Sequence, residues 1–182
     1  MNVCVFCGSS VGNDPTYREA AEALGARLAA LNHTLIYGGG KVGLMGVIAD
    51  SVLTHNGKVI GIIPEFLVRK EVGHLGITTL EVVHSMHERK QRMADLSDAF
   101  VALPGGWGTL DELAEILTWT QLRLIEKPVY ILNIESFFDH LIEQMRKMSE
   151  CGFLRRENYE SLKVARTVDE LILLLISKDK SI

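Results

Sequence analysis

No apolar run in this chain approaches the roughly 18–20 residues that cross a bilayer. The strongest, at 171–176, is far too short and reads as a buried helix. Cysteine is scarce: Cys4, Cys7 and Cys151 are the full set, which suits a reducing compartment and excludes a disulfide framework. Cys4-x-x-Cys7 has redox spacing, but such a motif normally opens a helix. Here it falls in a candidate strand, where residues three apart face opposite ways, so buried or site-lining thiols are expected. Metal-ligand spacing is missing as well. His33, His55, His74, His84, His87 and His140 form no HExxH pattern and no cysteine–histidine cluster, and no metal is expected. A basic surplus is also absent: 19 Lys and Arg against 23 Asp and Glu leave a net charge of −4. That balance argues against nucleic acid or an anionic membrane as the main partner. The opening residues, which run into Val3-Cys4-Val5-Phe6-Cys7, carry neither the basic region nor the A-x-A-like site of a signal peptide, so a cytoplasmic location is expected. Linkers, repeats and low-complexity stretches are lacking, which predicts one domain over 1–182.

What is present is a regular alternation. The chain is 47% hydrophobic, enough for a substantial core. Short apolar runs at 3–7, 34–37, 59–63, 79–83, 99–103, 129–132 and 163–165 read as strands. Most are apolar on both faces, as parallel strands covered by helices are. Helical patterns lie between them. Asp14-Pro15 supplies an N-cap and a first-turn proline for a helix to 31. Helices follow at 43–55, stopped by Asn56-Gly57, then at 86–97, 109–124 and 136–150. Thr167-Val168-Asp169-Glu170 has the capping-box pattern and opens a last helix to 177. The longest aperiodic connection, 64–77, reads as a functional loop. The fold class is α/β: a Rossmann-like, doubly wound, mostly parallel sheet with helices on both faces.

In such sheets ligands bind outside the carboxyl ends of the strands, and the distinctive residues fall there. Gly8-Ser9-Ser10 follows the first strand, and Gly38-Gly39-Gly40-Lys41-Val42-Gly43 the second. Ser85-Met86-His87-Glu88-Arg89-Lys90 follows the fourth, and Pro104-Gly105-Gly106-Trp107-Gly108-Thr109-Leu110-Asp111-Glu112 the fifth. Gly38, Gly40 and Gly43 make a literal G-x-G-x-x-G between strand and helix. The acidic residue of a dinucleotide site is misplaced, since Glu65 comes late, and the P-loop lysine spacing fails. The glycines fit either a ribose-phosphate contact or tight helix–strand packing. The fifth loop is the more telling. Glycines let backbone amides crowd a ligand, and a helix start adds partial positive charge, which together suit a phosphate. Glu112 fits two roles: a capping-box partner of Thr109, or a carboxylate acting on a bound phosphate ester. Arg89 fits a surface charge or a site residue. Lys90 points about 100° away from it on the same helix. Trp107 fits loop shaping, ligand stacking or an interface.

On these motifs the chain resembles the LOG ("lonely guy") family, cytokinin riboside 5′-monophosphate phosphoribohydrolases often labelled lysine decarboxylases. The resemblance spans nearly the whole sequence. Its most specific parts are Ser85-Met86-His87-Glu88-Arg89-Lys90 and Pro104-Gly105-Gly106-x-Gly108-Thr109-x-x-Glu112, with Trp107 where tyrosine is common. It implies hydrolysis of the N-glycosidic bond of adenosine-type 5′-monophosphates to free base and ribose 5-phosphate, without a cofactor. It implies Arg89 and Glu112 as the catalytic pair. Glu71, Lys90, Gly106, Trp107, Gly108, Thr109, Leu110, Asp111 and Thr118 become substrate contacts, and the protein a homodimer with its site near the interface. Gly8, Ser9, Gly39, Gly40, Gly43 and Met86 join the expected site from their place on the rim. Rival readings are a nucleotide-binding regulatory module without hydrolysis, a pyridoxal-phosphate decarboxylase and an NAD enzyme. The second lacks a convincing lysine and pyridinium-nitrogen partner.

Overall fold

The computed structural model describes residues 1–68 and 73–179. Seven strands form one sheet: β1 (Asn2–Phe6), β2 (Thr34–Tyr37), β3 (Lys58–Pro64), β4 (Thr79–Val83), β5 (Ala99–Ala102), β6 (Val129–Leu132) and β7 (Lys163–Ala165). Their order is β4-β3-β2-β1-β5-β6-β7, and every neighbouring pair is parallel. The chain therefore winds outward one way from β1, then crosses back to β5 and winds the other way. The crevice at that reversal is where open α/β sheets bind ligands.

Alternation along the strands sends side chains into two cores. Val3, Val5 and Cys7 join Leu24, Ile48, Val52 and Leu171 on one face. These come from helices α1 (Pro15–Ala30), α2 (Gly43–Thr54) and α8 (Val168–Asp179). Cys4 and Phe6 join Met93, Leu113, Ile116 and Phe138 on the other, under α4 (Met86–Leu96), α5 (Trp107–Gln121) and α6 (Asp139–Glu150). Cys4 and Cys7 thus lie in different cores, both as buried free thiols. Burial drives both thiols far from their reactive range, upward.

The helix signals act largely as the sequence predicts. Asp14 caps α1 through Thr16 N–H at 2.9 Å. Asn56 turns the chain at φ +60°, and Gly57 N–H reaches Val52 O at 2.8 Å. Thr167 Oγ1 accepts from Glu170 N–H at 3.2 Å. Other boundaries differ. The predicted 136–150 helix starts three residues late: Ile134–Ser136 is a 3₁₀ turn with Glu135 and Ser136 at positive φ, and α6 runs from Asp139 to Glu150. Two further short helices among the described residues are α3 (Glu65–Val68) and α7 (Arg156–Ser161). The first falls in the predicted 64–77 loop.

Candidate active site

Helix α4 delivers Arg89. Ser85 Oγ accepts from Glu88 N–H at 3.1 Å, while Glu88 Oε2 accepts from His84 N–H at 2.8 Å. This reciprocal cap fixes the first turn. Arg89 then points inward. Its Nε donates to Ile62 O, near the end of β3, at 3.1 Å, and its Nη1 lies 3.0 Å from Glu112 Oε1. Both residues are 8% exposed. Gly38 makes room for the guanidinium, since a Cβ there would fall 1.8 Å from Arg89 Nη2.

Helix α5 delivers Glu112, and it starts earlier than predicted. Its first residue is Trp107 and its N-cap is Gly106, which has no side chain to cap the turn. Thr109 and Glu112 therefore sit in the third and sixth helical positions, and the capping-box reading does not apply. Glu112 instead faces Arg89. Gly106 displaces Thr109 as the cap because the glycines let the chain enter the helix before the hydroxyl. The free N–H groups of the first turn belong to Trp107, Gly108 and Thr109. Space is open around Gly106 and Gly108, and a Cβ at either would meet nothing within 4 Å. Gly105 is different: a Cβ there would lie 2.1 Å from Thr109 Oγ1 and 2.8 Å from Gly8 N. The hydroxyl of Thr109 is thereby packed against the loop, and Thr109 is buried.

Burial pushes the Glu112 carboxyl above its ordinary value of 4.5, and Arg89, then Lys90, pull against that rise. A desolvated carboxylate with one guanidinium partner is stabilised as an anion yet remains more basic than one in water. Lys90, on the next face of α4, reaches Asp111 Oδ2 at 2.7 Å and Glu115 Oε2 at 3.3 Å. Two cations and three carboxylates so join α4 to α5 in one cluster.

The switch point between β1 and β5 opens into a cleft of about 250 Å³, lined by Gly8, Ser9, Ser10, Tyr17, Gly105 and Gly106 among others. Gly8 N–H donates to Pro104 O at 3.1 Å, which ties the two loops together. The second-strand glycines have packing reasons of their own. Gly43 has φ +62°, and a Cβ there would meet Ser9 C at 2.2 Å. Gly39 O accepts from His74 N–H at 2.8 Å, and Gly40 bridges to Gly73. Met86 is half-buried at the first position of α4, and Leu110 is half-buried on α5. Trp107 stands 88% exposed beside the open glycines. Thr118 is exposed and lies apart from the pair, six residues beyond Glu112. That is about 9 Å along the helix and on a different face. It rims an apolar groove of about 350 Å³ between α5, α6 and α7. Glu71 lies outside the described residues. The sequence reading missed Gly38 as the seat of Arg89, the Ile62 carbonyl and Glu115. Of these only Glu115 had a signal, its spacing of three and four from Glu112 and Asp111.

The fold and this cluster define a Rossmann-like α/β protein whose site joins a glycine-lined helix start to a buried arginine–carboxylate pair. The family model described as "Possible lysine decarboxylase" matches residues 45–175. Cytokinin riboside 5′-monophosphate phosphoribohydrolase LOG1 of Arabidopsis thaliana is 44% identical over 170 residues, covering 93% of this chain and 80% of that protein. Its counterpart LOG3 is also 44% identical over 170 residues, with 93% and 79% covered. The chain belongs to the LOG family, to which that family model corresponds. Among solved structures, the molybdenum cofactor carrier protein of Chlamydomonas reinhardtii aligns with a TM-score of 0.73 at 20% identity, over 97% of this chain and 96% of that one. The X-ray structure of TM1055 aligns at 0.74 with 21% identity, over 97% and 98%. At that identity these two establish the shared fold.

Proposed function

We propose that this protein hydrolyses the N-glycosidic bond of adenosine-type 5′-monophosphates, cytokinin riboside 5′-monophosphates among them, giving free base and ribose 5-phosphate. The observation that carries the reading is the buried Arg89–Glu112 pair at 3.0 Å, with Glu112 at the sixth position of a helix that starts at a glycine with no side-chain cap. The family relationship supports it. The 5′-phosphate meets the N–H groups of residues 107–109 and the partial positive charge of the helix. The ribose then lies toward Glu112. As the C1′–N bond breaks, its electron pair leaves with the base and an oxocarbenium-like sugar forms. The facing carboxylate stabilises that cation and takes a proton from the attacking water, whose oxygen bonds to C1′. The departing base takes up a proton, so that one water is added across the broken bond, as in glycoside hydrolysis. Arg89 keeps Glu112 ionised and aimed. Phosphate binding positions the reacting carbon, so nucleosides without phosphate react poorly.

The remaining parts of the reading are one domain over 1–182, a cytoplasmic location, no cofactor and a homodimer. Thr118, also a contact in this reading, stands about 9 Å along α5 from Glu112 and on a different face, so in this reading a second copy supplies it. Among the described residues no helix is long and apolar enough to cross a membrane.

The test is release of adenine from AMP. Glu112→Gln is expected to bind AMP while the rate falls about 10²–10⁴-fold, the usual loss for one general acid–base group. Equal release by the variant would overturn the mechanism. Binding of AMP by the unaltered protein without any release would favour the regulatory module. A visible absorbance band in the purified protein would favour the decarboxylase.

A further inference from the structure

Lys90 has two carboxylate partners on α5, and they are not equivalent. Asp111 is the outer one: its side chain is 60% exposed, at 2.7 Å from Nζ. Glu115 is the inner one: its side chain is 25% exposed, at 3.3 Å. Phe6, Lys90, Glu112, Glu115 and Ile116 line a single narrow crevice, so Glu115 shares the walled side of the cluster with Glu112. Asp111 shares the watered side. A salt bridge open to solvent contributes little and is easily exchanged, while loss of one partner of an enclosed pair leaves an uncompensated charge.

We propose that Glu115 is a positioning residue: it anchors the Lys90 ammonium beside Glu112, and Asp111 is the partner an incoming anionic substrate displaces. This rests on the hydrolase reading and extends it to a residue outside the expected site. Lys90 is half-buried and cannot be held by Asp111 alone once a phosphate or sugar hydroxyl competes for its protons. Glu115, one turn beyond Asp111 on the same helix, holds the ammonium from behind and leaves its outer side free for ligand.

The groups facing Glu112 are Arg89 and Lys90 from α4, Asp111 and Glu115 on its own helix, and the Cys4 and Cys7 thiols from β1 and the residue after it. Glu115 is among those that make Glu112 harder to ionise. Glu115→Gln keeps an oxygen that accepts from Lys90 but removes the charge. It is expected to leave KM for AMP near that of the unaltered protein while the acid limb of kcat/KM moves to lower pH. Glu115→Ala removes the anchor and is expected to raise KM on the order of tenfold, the loss of one hydrogen bond to a charged group. Calorimetric binding of AMP in a Glu112→Gln background separates the proposal from catalysis, since Glu115→Ala there weakens affinity by the same factor. Unchanged affinity in that background, or an unmoved acid limb with only a lowered melting temperature, overturns it. Absence of base release by the unaltered protein would instead sink the hydrolase reading, while the calorimetry would still decide the role of Glu115.

Discussion

At the scale of residues, the decisive event is that Glu112 is turned inward. A carboxylate 8% exposed is costly unless a partner sits on it, and Arg89 is that partner. The same burial shapes the pH response. In the proposed mechanism Glu112 acts as a carboxylate, and burial holds its carboxyl above 4.5. As pH falls through that raised value the carboxylate gains a proton and activity goes. The acid limb of kcat/KM for AMP is therefore expected above 4.5, with full activity on the alkaline side; a limb at or below the ordinary glutamate value would contradict the buried pair. From sequence, Arg89 and Glu112 were visible as charged residues in two loops of one rim. Their pairing came from the family resemblance and not from spacing, because 22 intervening positions separate them and only the packing of α4 beside α5 closes the gap. Thr109-x-x-Glu112 was ambiguous for a local reason: capping and facing a partner use the same spacing, and the helix start decides between them.

At the scale of elements, the glycines divide by what surrounds them. Gly38 sits 1.8 Å, measured from an added Cβ, from the Arg89 guanidinium. Gly38→Ala is expected to displace that group, and a shift of about 1 Å at a catalytic group can cost 10²-fold in rate. Steady-state kinetics should show the loss in kcat more than in KM. Gly108 is the opposite case. Nothing lies within 4 Å of an added Cβ, and the position is helical, where alanine is favoured by up to about 1 kcal/mol. Gly108→Ala should raise the melting temperature and raise KM for AMP, because the proposed function puts the 5′-phosphate in the space the methyl group enters. A variant that gains stability with KM unmoved would show the ligand elsewhere. The loop of 38–43 was legible as glycine-rich and as either a ribose-phosphate contact or tight packing, but its packing partners were not. Packing against Ser9 and pairing with Gly73 are long-range facts, and the G-x-G-x-x-G pattern carries no information about them.

At the scale of the whole molecule, the reversal of strand order at β1 and β5 brings loops from distant stretches of chain to one crevice. If the site also draws Thr118 from a second copy, mixing inactive variants should restore function. Arg89→Ala and Thr118→Trp proteins, each impaired alone, are expected to regain about a quarter of native sites when unfolded and refolded together, since only mixed dimers carry one intact pair. A mixture no more active than its parents would place Thr118 outside the partner's site. The fold class was determined by the sequence itself, because burial of a parallel sheet on both faces forces apolar strands to alternate with amphipathic helices whatever the details. So was the rim on which the chemistry lies, since loops after strands are fixed by the chain's direction. Tertiary structure alone decided which charges meet, which glycines pack and which stay open, and how far Thr118 stands from Glu112. Those depend on how helices settle against one another across the sheet, and no local pattern encodes a contact between residues that are neighbours only in space.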